Sequence, residues 1–108
     1  LKLSDETLQD FEENFITILM HGTEENIKTY LPEVLKTIEK YNYTDQFNSS
    51  IPAITFGLLK QYKKIGAEHF EFIENYLAET FKDYEPMIVP LHFLNIGIRH
   101  LKKKEKNV

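Results

Sequence analysis

Four histidines and a long set of carboxylates are the side chains in this chain that could do chemistry, either metal ligation or proton transfer. His69 stands beside Glu68 and near Glu71 and Glu74, but no second histidine follows one turn later, so the paired-histidine zinc face of a metalloprotease helix is absent. His92 and His100 are eight residues apart, too far to share an ion from adjacent turns. His21, beside Gly22 at a helix end, reads as a cap for backbone carbonyls. Paired carboxylates transfer protons only where burial or crowding splits their pKa values. Glu12, Glu13, Glu24, Glu25, Glu33, Glu68, Glu71, Glu74 and Glu79 mostly fall opposite apolar stripes and read as solvated helix faces. Four scattered glycines make no phosphate loop, no serine sits in a G-x-S-x-G turn, and the absence of cysteine excludes thiolate chemistry and disulfides. The expectation is no catalytic residue, no metal and no cofactor.

Two groups remain that could recognise something. Arg99, Lys102, Lys103, Lys104 and Lys106, with Glu105 among them, carry a net +4 and leave −8 on residues 1 to 98. Such a basic patch can meet an acidic surface or a phosphate, and it can equally do no more than complement the negative end of its own helix. Nucleic acid is disfavoured, because the basic residues are not interleaved with exposed aromatics. The second group comes from the eight Phe and six Tyr. Most fall on helical stripes, but Phe56, Phe72 and Tyr76 fall off them and Phe93 is ambiguous. Three of these exposed together would mark a partner surface; otherwise they show only that more than one face of the helices is covered.

The elements that must carry these residues are amphipathic helices. Ser4 is placed to cap a first helix over Asp5 to Met20, with a stripe of Leu8, Phe11, Phe15, Ile16 and Leu19, ended by Gly22 in a left-handed conformation. Thr23 caps a second, with Ile27, Tyr30, Val34, Leu35, Ile38 and Tyr41 on its stripe and Pro32 kinking it without breaking the phase of that stripe. Asn42 to Ser50 has turn-forming composition and reads as the longest loop. Ser50 then caps a third helix over Ile51 to Ile65, with Pro52 in its first turn and Gly66 after its end. A fourth covers Glu68 to Tyr84. Val89-Pro90 opens a fifth, whose apolar residues are Leu91, Leu94, Ile98 and Leu101.

One offset relates these helices. Moving the stripe Phe70, Ile73, Leu77, Ala78, Phe81 and Tyr84 back by 43 residues lands on Ile27, Tyr30, Val34, Leu35, Ile38 and Tyr41. The same offset carries Leu8, Phe11, Phe15, Ile16 and Leu19 onto Ile51, Ile54, Leu58, Leu59 and Tyr62. In period and helix-pair layout the chain resembles HEAT repeats. The expected fold is therefore all-α, one domain over residues 1–108: five antiparallel helices forming two HEAT-like pairs plus a terminal helix. The alternative is a closed five-helix bundle.

Length, a hydrophobic content of 42% and a charged content of 28% suit a folded domain with a real core. No apolar run approaches the roughly 20 residues of a membrane span. A chain starting at Leu1 without a signal peptide, and lacking cysteine, suggests a piece of a larger cytoplasmic protein. The functional expectation is a non-enzymatic module that binds a protein partner or a neighbouring domain, with self-association through the C-terminal helix if its face stays uncovered. The alternative is a small acidic regulatory or immunity-type protein that binds a basic partner.

Overall fold

The computed structural model describes residues 3–106, and over them the chain is all-helical, with no strand. Helix α1 spans Asp5–His21, α2 Glu24–Lys40, α3 Thr44–Lys60, α4 the single turn Tyr62–Ile65, α5 Ala67–Thr80 and α6 Glu85–Lys106. No helix among the described residues is long and apolar enough to cross a membrane.

The first two helix starts follow from their capping residues. The Thr7 N–H donates to Ser4 Oγ at 3.2 Å and the Asn26 N–H to Thr23 Oγ1 at 3.1 Å, with Asp5, Glu6, Glu24 and Glu25 at the positive dipole ends. Gly22 between them is not left-handed: its φ of −72° is open to any residue. What requires glycine is space, since a Cβ there would lie 2.6 Å from the Ile18 carbonyl oxygen.

Of the loop expected from Asn42 to Ser50, everything from Thr44 onward is helix. Asn42 takes a φ of 59°, and the Tyr43 N–H reaches the Ile38 carbonyl at 2.9 Å while the Asn42 N–H reaches that of Glu39 at 3.2 Å. These are the paired bonds of a Schellman stop, so α2 closes within a few residues and α3 can begin at Thr44. The polar residues that give the stretch its loop-like composition make long-range bonds instead. Gln46 holds both backbone groups of Leu3, at 2.9 and 3.0 Å, the Ser50 hydroxyl donates to Glu12 at 3.3 Å, and Asn48 accepts from the Tyr84 hydroxyl. Ser50 is therefore a buried residue inside a helix and not a cap, and Pro52 lies inside α3 and not in its first turn.

Three further boundaries differ from expectation. The helix assigned to residues 51–65 is broken at Gln61, which separates off the single turn α4 and makes six helices where five are expected. The helix expected over Glu68 to Tyr84 ends at Thr80. Helix α6 opens at Glu85 with Pro86 in its first turn, where a missing N–H is harmless, so Val89-Pro90 is interior.

Pairs that touch across non-consecutive helices set their directions. From Leu3 with Gln46, through Glu12 with Ser50, to Ile16 with Gly57, the residue numbers climb together, so α1 and α3 run the same way. Pro52 and Phe56 beside Val89 and Phe93, then Leu59 beside Gly97, show the same for α3 and α6. These three helices form one layer with α3 in the middle. Gly57 on α3 and Gly97 on α6 permit close approach: a Cβ on Gly57 would come within 2.4 Å of Ile16 Cδ1, and one on Gly97 within 2.7 Å of Leu59 Cδ2.

Helices α2 and α5 cover the other side, and the core lies between. Phe15, Leu19, Ile27, Leu31, Phe47, Ile51, Leu58, Phe70, Ile73, Leu77 and Leu94 are among its buried members. Phe47 is central, its ring 6.3 Å from Phe11, 6.4 Å from Phe15 and 6.3 Å from Phe81. Two stripe assignments fail: Tyr41 is 52% exposed, stacked on Tyr43 beneath the Lys40 ammonium, and Ala78 is exposed.

Candidate functional site

The four aromatics assigned to a partner surface separate into two pairs. Phe56 on α3 and Phe93 on α6 are both more than half exposed and face each other across a shallow groove floored by Pro52, Thr55, Val89 and Pro90. The same-direction pairing of α3 with α6 brings them level. Ile88, Val89 and Ile96 extend the apolar surface along α6 and are themselves 48–60% exposed. Sequence periodicity assigns only Leu91, Leu94, Ile98 and Leu101 to the apolar side of this helix. The signal for the others was a second stripe on α6, which a search for one buried face passes over.

Phe72 and Tyr76, by contrast, are half-buried on α5 and packed against the core. Their rings stack 5.8 Å apart, the His69 ring stacks on Phe72 at 6.0 Å, and the Lys28 ammonium of α2 sits 5.8 Å from the Phe72 centroid. His69 Nε2 is 2.7 Å from the Leu19 carbonyl oxygen, which can only accept, so this nitrogen carries the proton and donates. This cluster ties α1, α2 and α5 together. It is His69 that caps a carbonyl, the role the sequence assigns to His21.

The basic patch is also divided. Lys102 on α6 pairs with Glu71 on α5, and the hydrogen bond to Glu71 holds its ammonium protonated beyond the usual range. Arg99, Lys103, Lys104 and Lys106 remain exposed. Glu105 accepts from the Tyr62 hydroxyl at 3.4 Å. Burial pushes the Tyr62 phenol above its ordinary value of 10.0, and the charge of Glu105 pushes it further. The unfolded chain therefore ionises at Tyr62 first. The contribution of the neutral phenol to stability is intact below pH 10.0 and is lost as pH rises through the folded-state value. Tyr62→Phe should accordingly flatten the fall in melting temperature above about pH 10; a profile as steep as that of the unsubstituted chain would count against this role.

Several carboxylates read as solvated have partners: Glu12 takes Ser50, Glu71 takes Lys102, and Glu74 accepts from Asn95 at 3.2 Å. Among the described residues no three His, Cys, Asp or Glu side chains converge as a metal site would require. An apolar cleft of about 440 Å³ does open between α1 and α2, lined chiefly by Leu8, Phe11, Tyr30, Val34 and Ile38, with Tyr43 and Phe47 closing one end. Sequence reasoning missed it because the residues at that end were assigned to a loop.

Compared with protein-family models, with characterised proteins and with solved structures, the chain matches none.

Proposed function

We propose that this chain is a non-enzymatic helical interaction module that docks a protein partner through the α3–α6 surface. The observation that carries it is the continuous exposed strip of Phe56, Ile88, Val89, Phe93 and Ile96. Large apolar side chains grouped on one surface keep water ordered against them, and a partner that covers them releases it. A photo-reactive phenylalanine analogue at position 93 should crosslink a polypeptide in the source cell, and the same analogue at the exposed Lys36 of α2 should not. Equal capture at the two positions would overturn the assignment.

The architecture that presents this surface is, in our proposal, a short HEAT-like array of helix pairs in antiparallel succession. In support, Phe15 meets Tyr30 while Leu8 lies near Ile38, and Glu74 meets Asn95 while Glu71 meets Lys102, so numbers fall along one helix as they rise along its neighbour. Ile16 and Leu59, one repeat offset of 43 apart, each cover a glycine of the next same-direction helix, Gly57 and Gly97. The covering residues keep the 43-residue offset while the two glycines are 40 residues apart, so the support lies in the similar packing and not in an unbroken register.

A further inference from the structure

We propose that the outer face of α6 pairs with the same face of a second copy of this chain, antiparallel and about a two-fold axis. This rests on the α3–α6 surface being an interaction surface, and it names the occupant.

The pattern of side chains along α6 is self-complementary only in that arrangement. Glu85 and Lys103 are 18 residues apart, about five whole turns, so they lie on one meridian of the helix roughly 27 Å from each other. Both are exposed. Between them on the same exposed side come Ile88, Val89, His92, Phe93, Ile96 and Arg99. The face thus reads acidic, apolar, basic from its N-terminal end. A two-fold axis crossing α6 midway, near Phe93 and Ile96, lays each Glu85 on Lys103 of the other copy. It brings the two apolar centres together and lays Ile88 and Val89 against the aliphatic stem of the opposing Arg99. A parallel pairing would instead set acid on acid and base on base.

The other way for copies to associate is head to tail, with α1 of the next copy continuing the layer beyond α6. Every exposed residue of α1 is polar, among them Asp5, Glu6, Asp10, Glu13 and Thr17. That contact would bury carboxylates against Ile88 and Phe93 without a partner, at a desolvation cost the apolar contact does not offset. The closed pair is therefore favoured over an open filament.

Sedimentation velocity on the whole chain, from micromolar to about 1 mM, tests this. The expected result is a monomer–dimer equilibrium. Ile96→Asp sits on an exposed position that the fold does not need, and it should raise the dissociation constant about 100-fold, since each dimer contains the change twice. Glu85→Lys alone and Lys103→Glu alone should each weaken the dimer about tenfold at low salt. The double variant carrying both reversals restores both cross-pairs in an antiparallel dimer, and should return to within about threefold of the starting affinity. A chain that stays monomeric up to about 1 mM overturns the proposal while leaving a different protein as the partner of this surface. A dimer that the double reversal fails to restore overturns the antiparallel pairing. Equal capture at positions 93 and 36 in the crosslinking experiment is the separate result that would remove the interaction surface itself.

Discussion

Phe47→Ala should lower the unfolding free energy by about 3–5 kcal/mol, the cost of emptying a phenylalanine site in a packed core. Phe47 is buried and its ring touches those of Phe11, Phe15 and Phe81, so its removal leaves a cavity bordered by α1, by α3 and by the residue that follows α5. For a domain of this size that corresponds to a fall in melting temperature of roughly 15–25 °C. A side chain that merely tucked down a surface loop would cost about 1 kcal/mol or less. Thermal and urea unfolding of the one variant therefore distinguish a helical Phe47 from a loop residue, and a shift below about 5 °C would contradict the packing described here.

A chain ended at Tyr84, without α6, should lose cooperative unfolding altogether. Met87, Leu94 and Ile98 are each at most 3% exposed, and α6 lies along the length of α3. At about 1.5–3 kcal/mol for each buried side chain, those three contribute roughly 5–9 kcal/mol. That is comparable with the whole stability of a small domain, about 5–15 kcal/mol. The shortened chain is expected to keep helical circular dichroism, broaden its thermal transition and bind a hydrophobic dye, the behaviour of a compact state without fixed packing. A sharp transition within a few degrees of the full chain would mean that the first five helices make an independent core, contrary to the placement of α3 in the middle of the layer.

How much of this was legible in the sequence depends on the range over which each signal acts. The caps at Ser4 and Thr23 and the stop at Gly66 are local, set by side-chain oxygens and by a φ of 86° that glycine tolerates, and the sequence reports them correctly. Apolar periodicity found the buried stripes of α1, α3 and α5, because a helix shows its core side at regular intervals. What was not legible is whatever depends on a distant partner. Gln46, Asn48 and Ser50 resemble loop residues until Leu3, Tyr84 and Glu12 are placed beside them. Periodicity leaves Phe56 off the stripe and Phe93 ambiguous; that the two lie level while Phe72 and Tyr76 lie elsewhere follows from the common direction of α3 and α6. Ile88, Val89 and Ile96 escaped notice because nothing in one sequence separates a second covered stripe from an uncovered one.

The same-direction layer also gives the molecule two electrical poles. The first turns of α1, α3 and α6 gather Asp5, Glu6, Asp45 and Glu85 at one end, while Lys60, Lys63, Lys64, Lys103, Lys104 and Lys106 gather at or just beyond the other. Side-chain charge therefore opposes the backbone dipole within each of these helices and at the same time separates across the whole body. A chain of net charge −4 would not drift past a negatively charged matrix as its average suggests. It would turn in the field and touch lysine end first, so retention by both anion and cation exchangers at low salt is what this geometry entails.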